Sequence, residues 1–181
     1  MLYLDAPQQK EEKGAVILIG GGSRSGKSRE ALRMLRNAGP RMGFIATAKP
    51  SDEEMRERIN HHRAERGPEI VTWEEPVALA ERILAEDGRY DAIVVDCLTL
   101  WLSNLMLSEA NIEAKTEELL QVAANTRTQI IFVTNEVGCG IVPENALARR
   151  FRDEAGRLNQ HFADRASEAY WMVFGIGLRL K

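Results

Sequence analysis

Eight residues near the amino terminus constrain this chain more than any others. Gly21-Gly22-Ser23-Arg24-Ser25-Gly26-Lys27-Ser28 fits the pattern Gly-x4-Gly-Lys-Ser/Thr. Its glycines let the backbone curl so that successive N–H groups point inward at phosphate oxygens. A helix starting near Lys27 adds its positive end. Lys27 is then set to reach β- and γ-phosphates, and the Ser28 hydroxyl to ligate Mg²⁺. At average residue frequencies the pattern arises in about 0.5% of chains this long. Its setting lowers that further, because the apolar run Ala15–Ile19 precedes it and Lys27–Ala38 reads as a helix.

The strand–loop–helix opening continues as an alternation. Met42–Ala46, Glu69–Trp73, Ala92–Val95 and Gln129–Thr134 read as further strands, short and apolar as buried parallel strands are. Between them, a Ser51/Glu54 capping box starts a helix over about Asp52 to Arg66, and Pro76 opens another that ends at Gly88. Leu98–Leu107 and Ile112–Asn125 read as helices, as does the long polar stretch Ala146–Glu168. Tyr170–Phe174 and Ile176–Leu180 close the chain as two extended runs that can form a hairpin. The expected fold is α/β and P-loop NTPase-like. It has a mostly parallel central sheet, helices on both faces, and one antiparallel strand at the carboxyl terminus. Residues 1–13 read as an extension and 14–181 as a single nucleotide-binding catalytic domain.

Composition excludes several classes. With 181 residues, 44% hydrophobic and 28% charged, the chain can bury a core without disulfides or metals. A net charge of −3 without a basic stripe predicts neither nucleic-acid binding nor membrane association. No apolar stretch is long enough to span a bilayer. The start lacks the features of a signal peptide, so the expected location is the cytoplasm. Cys97 and Cys139 have no metal-ligand spacing and are expected to be buried free thiols.

A phosphate loop of this kind needs an acidic residue at the end of a neighbouring apolar strand. Asp96 closes Ala92–Val95, whereas Asp91 would lie at the far end of that strand. Thr47 and Lys49 follow the second strand, at the edge where parallel-sheet enzymes bind ligands. On the helix begun by Ser51, Met55, Ile59 and His62 share one face. Glu54, Arg58, His61 and Glu65 share another, polar one. His62 therefore reads as a packing residue and His61 as one among charged groups. The two diverge from one helix, which argues against a shared metal.

Beyond the phosphate loop, the chain carries an ordered set of blocks. These are Ile45-Ala46-Thr47, then Asp52-Glu53-Glu54-Met55 leading to Ile59-Asn60-His61-His62. Thr134-Asn135-Glu136-Val137-Gly138 and Val142-Pro143-Glu144-Asn145 follow. Arg150-Phe151-Arg152-Asp153, Gly156-Arg157-Leu158-Asn159-Gln160 and a terminal Gly175-Ile176-Gly177 complete the set. Together, from about Ala15 to Lys181, they resemble the bifunctional adenosylcobinamide kinase / adenosylcobinamide-phosphate guanylyltransferase family of cobalamin assembly. The resemblance implies phosphorylation of adenosylcobinamide, then transfer of GMP from GTP to the new phosphate through a guanylylated histidine, which it places on His61. It implies nucleotide contacts at Thr47-Ala48-Lys49, at Ala64, Glu65, Arg66 and Gly67, at Glu74 or Glu75 (Glu74 preferred), and at Asp96. Ser28 and Asp96 are the implied Mg²⁺ ligands, ATP and GTP the nucleotides, and Lys27 and His61 the catalytic residues.

A homotrimer is likewise implied, for which Leu98–Leu107 with Trp101 is apolar enough to supply an interface or, equally, to lie in the core. Asn135, Glu136 and the Val142–Asn159 region have the side chains to line a corrinoid site, a subunit contact or a solvated face. The corrinoid is expected as substrate, not cofactor. Two other readings stay open on the residues alone: a P-loop kinase of another small alcohol without a covalent intermediate, and an NTP-binding switch protein.

Overall fold

The computed structural model describes residues 13–49, 53, 56, 57, 63 and 66–181. Seven strands form one sheet: β1 (Val16–Gly21), β2 (Met42–Ala46), β3 (Ile70–Glu74), β4 (Ala92–Asp96), β5 (Gln129–Val133), β6 (Glu168–Val173) and β7 (Ile176–Arg179). Their spatial order is β3-β2-β4-β5-β1-β6-β7. All pairings are parallel except β6 with β7, the expected terminal hairpin. Five helices have complete bounds: α1 (Lys27–Ala38), α2 (Leu79–Glu86), α3 (Leu98–Leu107), α4 (Ile112–Asn125) and α5 (Ala146–Arg165). Glu53, Arg56, Glu57, Arg63 and Arg66 are also helical.

The central strands β1, β2, β4 and β5 are apolar without alternation because both faces of the sheet are covered there. Val16 and Leu18 of β1 face a core built with Leu79 and Ile83 of α2, Trp101 and Leu102 of α3, Leu119 of α4 and Phe162 of α5. Ile17 and Ile19 face the other way, onto Ala31, Leu32 and Leu35 of α1. Trp101 is 1% exposed and donates its indole N–H to the Val77 carbonyl at 2.9 Å, so the α3 segment is core and not an interface centred on that ring. Among the described residues no helix is long and apolar enough to cross a membrane.

Element boundaries depart most from expectation at the last helix and at α2. The last helix stops at Arg165, and Glu168 opens β6. Ser167 is drawn into the sheet, where its N–H and hydroxyl both donate to the Val16 carbonyl and its hydroxyl accepts from the Val16 N–H. Here strand pairing overrides helix propensity. Helix α2 starts at Leu79 instead of Pro76, because the Glu75 carboxylate accepts from the N–H groups of Val77 and Ala78 and holds that stretch as a turn. Cys97 is buried as expected, but Cys139 is exposed, since it sits on the loop after β5 beyond the reach of the core.

Candidate active site

Register assembles the site. Ala46 lies opposite Glu74 on one side and Asp96 on the other, and Asp96 lies opposite Val133. The carboxyl ends of four parallel strands thus form one row, and the loop leaving β1 curls over it. Ligands collect at such an edge in open parallel sheets.

The loop's shape depends on two glycines. Gly21 has φ 150° and Gly26 φ 98°, and a methyl group on Gly21 would lie 2.6 Å from the Met172 carbonyl oxygen. The β6–β7 turn braces the loop from outside: the Gly175 N–H donates to the Ser25 carbonyl at 3.0 Å. Inside it, the Lys27 ammonium donates to the Gly22 carbonyl at 2.5 Å and to Ser25 Oγ at 3.4 Å. The lysine is 7% exposed, and burial pulls its pKa below the ordinary value against the opposing pull of Asp96.

The next residue completes a hydroxyl–carboxylate pair, Ser28 Oγ donating to Asp96 Oδ2 at 3.1 Å. Asp96 is held through its own backbone. Its carbonyl accepts from the Thr47 N–H, and the Thr47 hydroxyl donates to the Cys97 carbonyl and accepts from the Cys97 N–H, each at 2.8 Å. The Asp96–Cys97 peptide is cis. Burial pushes the Cys97 thiol up to about 11, which removes it as a nucleophile near neutrality.

These groups open on one cleft of about 630 Å³, lined by Ser23, Arg24, Ser25, Gly26, Lys27 and Ser28 together with Ala48, Arg66, Glu74 and Asp96. The Arg66 guanidinium is buried over the Phe44 ring at 4.1 Å, and burial lowers its pKa. The cleft therefore pairs two buried cations, Lys27 and Arg66, with the carboxylates Asp96 and Glu74. Cations and inward N–H groups neutralise phosphoryl charge. A hydroxyl beside a carboxylate is the hard oxygen donor set that Mg²⁺ shares with phosphates.

Other expected residues fall around this centre. Gly21 and Gly22 open the loop, Thr47 is buried between Ala46 and Ala48, which line the cleft, Lys49 is exposed, and Gly67 follows Arg66 with φ 81°. Glu74 lines the cleft, whereas the Glu75 carboxylate is engaged by the turn before α2. His61, His62, Ala64 and Glu65 lie outside the described residues. Arg29, Phe44, Leu100, Phe174 and Gly175 line the cleft without having been expected there, as does Asn135, whose amide donates to Thr99 Oγ1 at 2.8 Å. Asn135 was visible as part of its block. Phe174 and Gly175 reach the loop only because β6 pairs with β1.

Comparison with known proteins adds independent findings. A family model described as Cobinamide kinase / cobinamide phosphate guanyltransferase matches residues 17–180. The chain is 43% identical over 166 residues to "Bifunctional adenosylcobalamin biosynthesis protein CobP" of Pseudomonas aeruginosa, covering 91% of this chain and 96% of that protein. It is 39% identical over 181 residues to "Bifunctional adenosylcobalamin biosynthesis protein CobU" of Salmonella typhimurium, covering 92% and 99%. Among solved structures, a Pyrococcus horikoshii OT3 protein (Project ID PH0250) shares the fold at TM-score 0.54 and 7% identity, covering 94% of this chain and 87% of that one.

Proposed function

The chain belongs to the cobinamide kinase / cobinamide phosphate guanyltransferase family, and from that premise we propose that one unit, residues 14–181, carries out both reactions. It phosphorylates adenosylcobinamide with a nucleoside triphosphate, then transfers GMP from GTP to the adenosylcobinamide phosphate. The supporting observation is the single cleft in which the phosphate loop, the Ser28–Asp96 pair, Arg66 and Glu74 stand together.

In the kinase step the loop N–H groups and Lys27 hold the β- and γ-phosphates while the substrate hydroxyl oxygen attacks the γ-phosphorus and the nucleoside diphosphate leaves. In the transferase step the neutral imidazole of His61 attacks the α-phosphorus of GTP and pyrophosphate leaves. An oxygen of the substrate phosphate then attacks the same phosphorus and the histidine nitrogen departs, giving adenosylcobinamide-GDP. Arg66, five residues after His61 in the chain, adds a second cation to the cleft. Ser28 and Asp96 would hold Mg²⁺, which when bound offsets phosphate charge. Thr47, Ala48, Lys49, Gly67 and Glu74 surround the nucleoside side of the site, with Ala64 and Glu65 beside them in the chain.

The acting form is a cytoplasmic homotrimer. With Trp101 in the core, the apolar surface for assembly is the terminal hairpin, where Ile176 and Leu178 are exposed on one side of β7 and Leu180 is exposed just beyond it. The test is a two-stage incubation. With γ-labelled ATP and adenosylcobinamide, label is expected on the corrinoid, and unlabelled GTP should then convert that product to the GDP form. A corrinoid that never takes up label contradicts the kinase assignment.

A further inference from the structure

Helix α5 carries a glycine that no packing among the described residues requires. Gly156 lies in the middle of a 20-residue helix, where glycine costs more than any residue except proline. Among the described residues, a methyl group built on it would meet nothing within 4 Å. What Gly156 borders is a groove of about 550 Å³. At 100° per residue, Arg149, Arg152, Asp153, Gly156, Arg157 and Gln160 share one face of α5 and line this groove. Ala155, Leu158 and Phe162, on the opposite side, are buried in the core. Gly138 and Val142, from the loop after β5, complete the wall.

We propose that this groove binds the corrinoid acceptor, the macrocycle lying against α5 at Gly156 while the arginines hold its amide and phosphate oxygens. The proposal rests on the activity inferred above. Position supports it: Asn135 lines the nucleotide cleft, and Gly138, three residues on, lines the groove. Three residues span at most about 11 Å. The connecting loop is tied down at both ends, by the Glu136 N–H on the Gly21 carbonyl at 3.0 Å and by Arg152 Nη2 on the Gly138 carbonyl at 2.6 Å. Charge supports it as well. Three arginines line the groove against Asp153, with Glu154 paired to Arg157 at 3.0 Å, and the net positive charge left suits a ligand that gains a phosphate in the first reaction and must be held for the second. Shape agrees, because a floor without a side chain, rimmed by the exposed apolar Val142 and its neighbour Ile141, fits a broad ring with apolar faces.

Gly156→Leu fills the floor without deleting a hydrogen-bonding side chain, and leucine is the better helix former. Equilibrium dialysis of the full chain against cobinamide, read by corrin absorbance, should show Kd raised roughly tenfold or more. The KM for ATP should be unchanged and the thermal midpoint no lower than wild type. Arg157→Gln, an exposed change, should weaken binding of cobinamide phosphate by roughly tenfold and of cobinamide by less. Wild-type affinity in both variants would overturn the groove and leave the activity standing. A wild-type chain that neither binds nor phosphorylates cobinamide would instead overturn the activity and the groove together. Lost binding that tracks a changed sedimentation coefficient would overturn the proposal by assigning this face to a second copy of the chain.

Discussion

Lys27 is almost wholly buried, and its ammonium is fixed on the Gly22 carbonyl and Ser25 Oγ. Lys27→Met keeps most of the stem and deletes the charge. A hydrogen bond from a charged donor is worth about 1.5–3 kcal/mol. Opposing it, burial holds the lysine pKa below its ordinary 10.5, so the folded chain carries a charge that it disfavours. The effective penalty for a buried ion is of the same order, several kcal/mol. The two offset, and the expected change in unfolding free energy is within about 1 kcal/mol. Catalysis has no such offset, and loss of the cation should slow both phosphorylation and GMP transfer by ~10²-fold or more.

The pH dependence has a definite sign. Between the lowered folded pKa and 10.5 the unfolded chain binds more protons than the folded one, so wild-type stability rises with pH across that window. The variant lacks this gain. Urea unfolding of both proteins, at neutral pH and again at alkaline pH, checks the stability claim, and initial rates of the two transfers check the rest. A loss above about 3 kcal/mol would show that the lysine supports the fold, beyond what its hydrogen bonds account for. Either activity at the wild-type rate would require a second nucleotide site.

Gly21→Ala should cost about 2–5 kcal/mol and abolish nucleotide binding, because the added carbon meets the Met172 carbonyl in a backbone region alanine disfavours; thermal melts and ATP titration read both effects. Asp87 links the end of α2 to the start of β5, its carboxylate accepting from the Thr126 hydroxyl and the N–H groups of Arg127 and Thr128. Burial alone would raise its pKa, but these donors outweigh it and hold the carboxyl below its ordinary value. The stability it contributes is complete above about pH 4 and is lost as pH falls through the folded pKa. Asp87→Asn should therefore lower stability by about 1–2 kcal/mol at pH 7 and flatten the acid side of the stability curve, as measured by urea titrations across pH.

What could be read in advance was local or forced by parallel topology. The phosphate loop is eight consecutive residues, so its chemistry survives without knowledge of tertiary contacts. Asp96 was legible because strands in a parallel sheet end on one edge, and the Ala46–Asp96 register places it there. The β6–β7 turn was not legible as part of the cleft, since its contact with Ser25 depends on β6 being placed beside β1. For the same reason helical propensity ran on to Glu168, a residue that pairs with Ile17 instead. The α3 segment is apolar all round, a pattern that fits core or interface equally; packing against α4 and α5 decided for core. Glu74 and Glu75 differ by one position, and only the end of β3 separates a carboxylate on the cleft from one that caps a turn.

The central claim is covalent transfer through His61, and one incubation addresses it most directly. The purified chain is mixed with α-labelled GTP, denatured, and freed of unbound nucleotide. A phosphoramidate on histidine should carry the label through mild alkali and release it in mild acid. His61→Ala should take up none while still phosphorylating adenosylcobinamide with ATP, and His62→Ala should retain some labelling. Label that persists in His61→Ala, or an adduct stable to acid in the wild-type chain, would contradict the account.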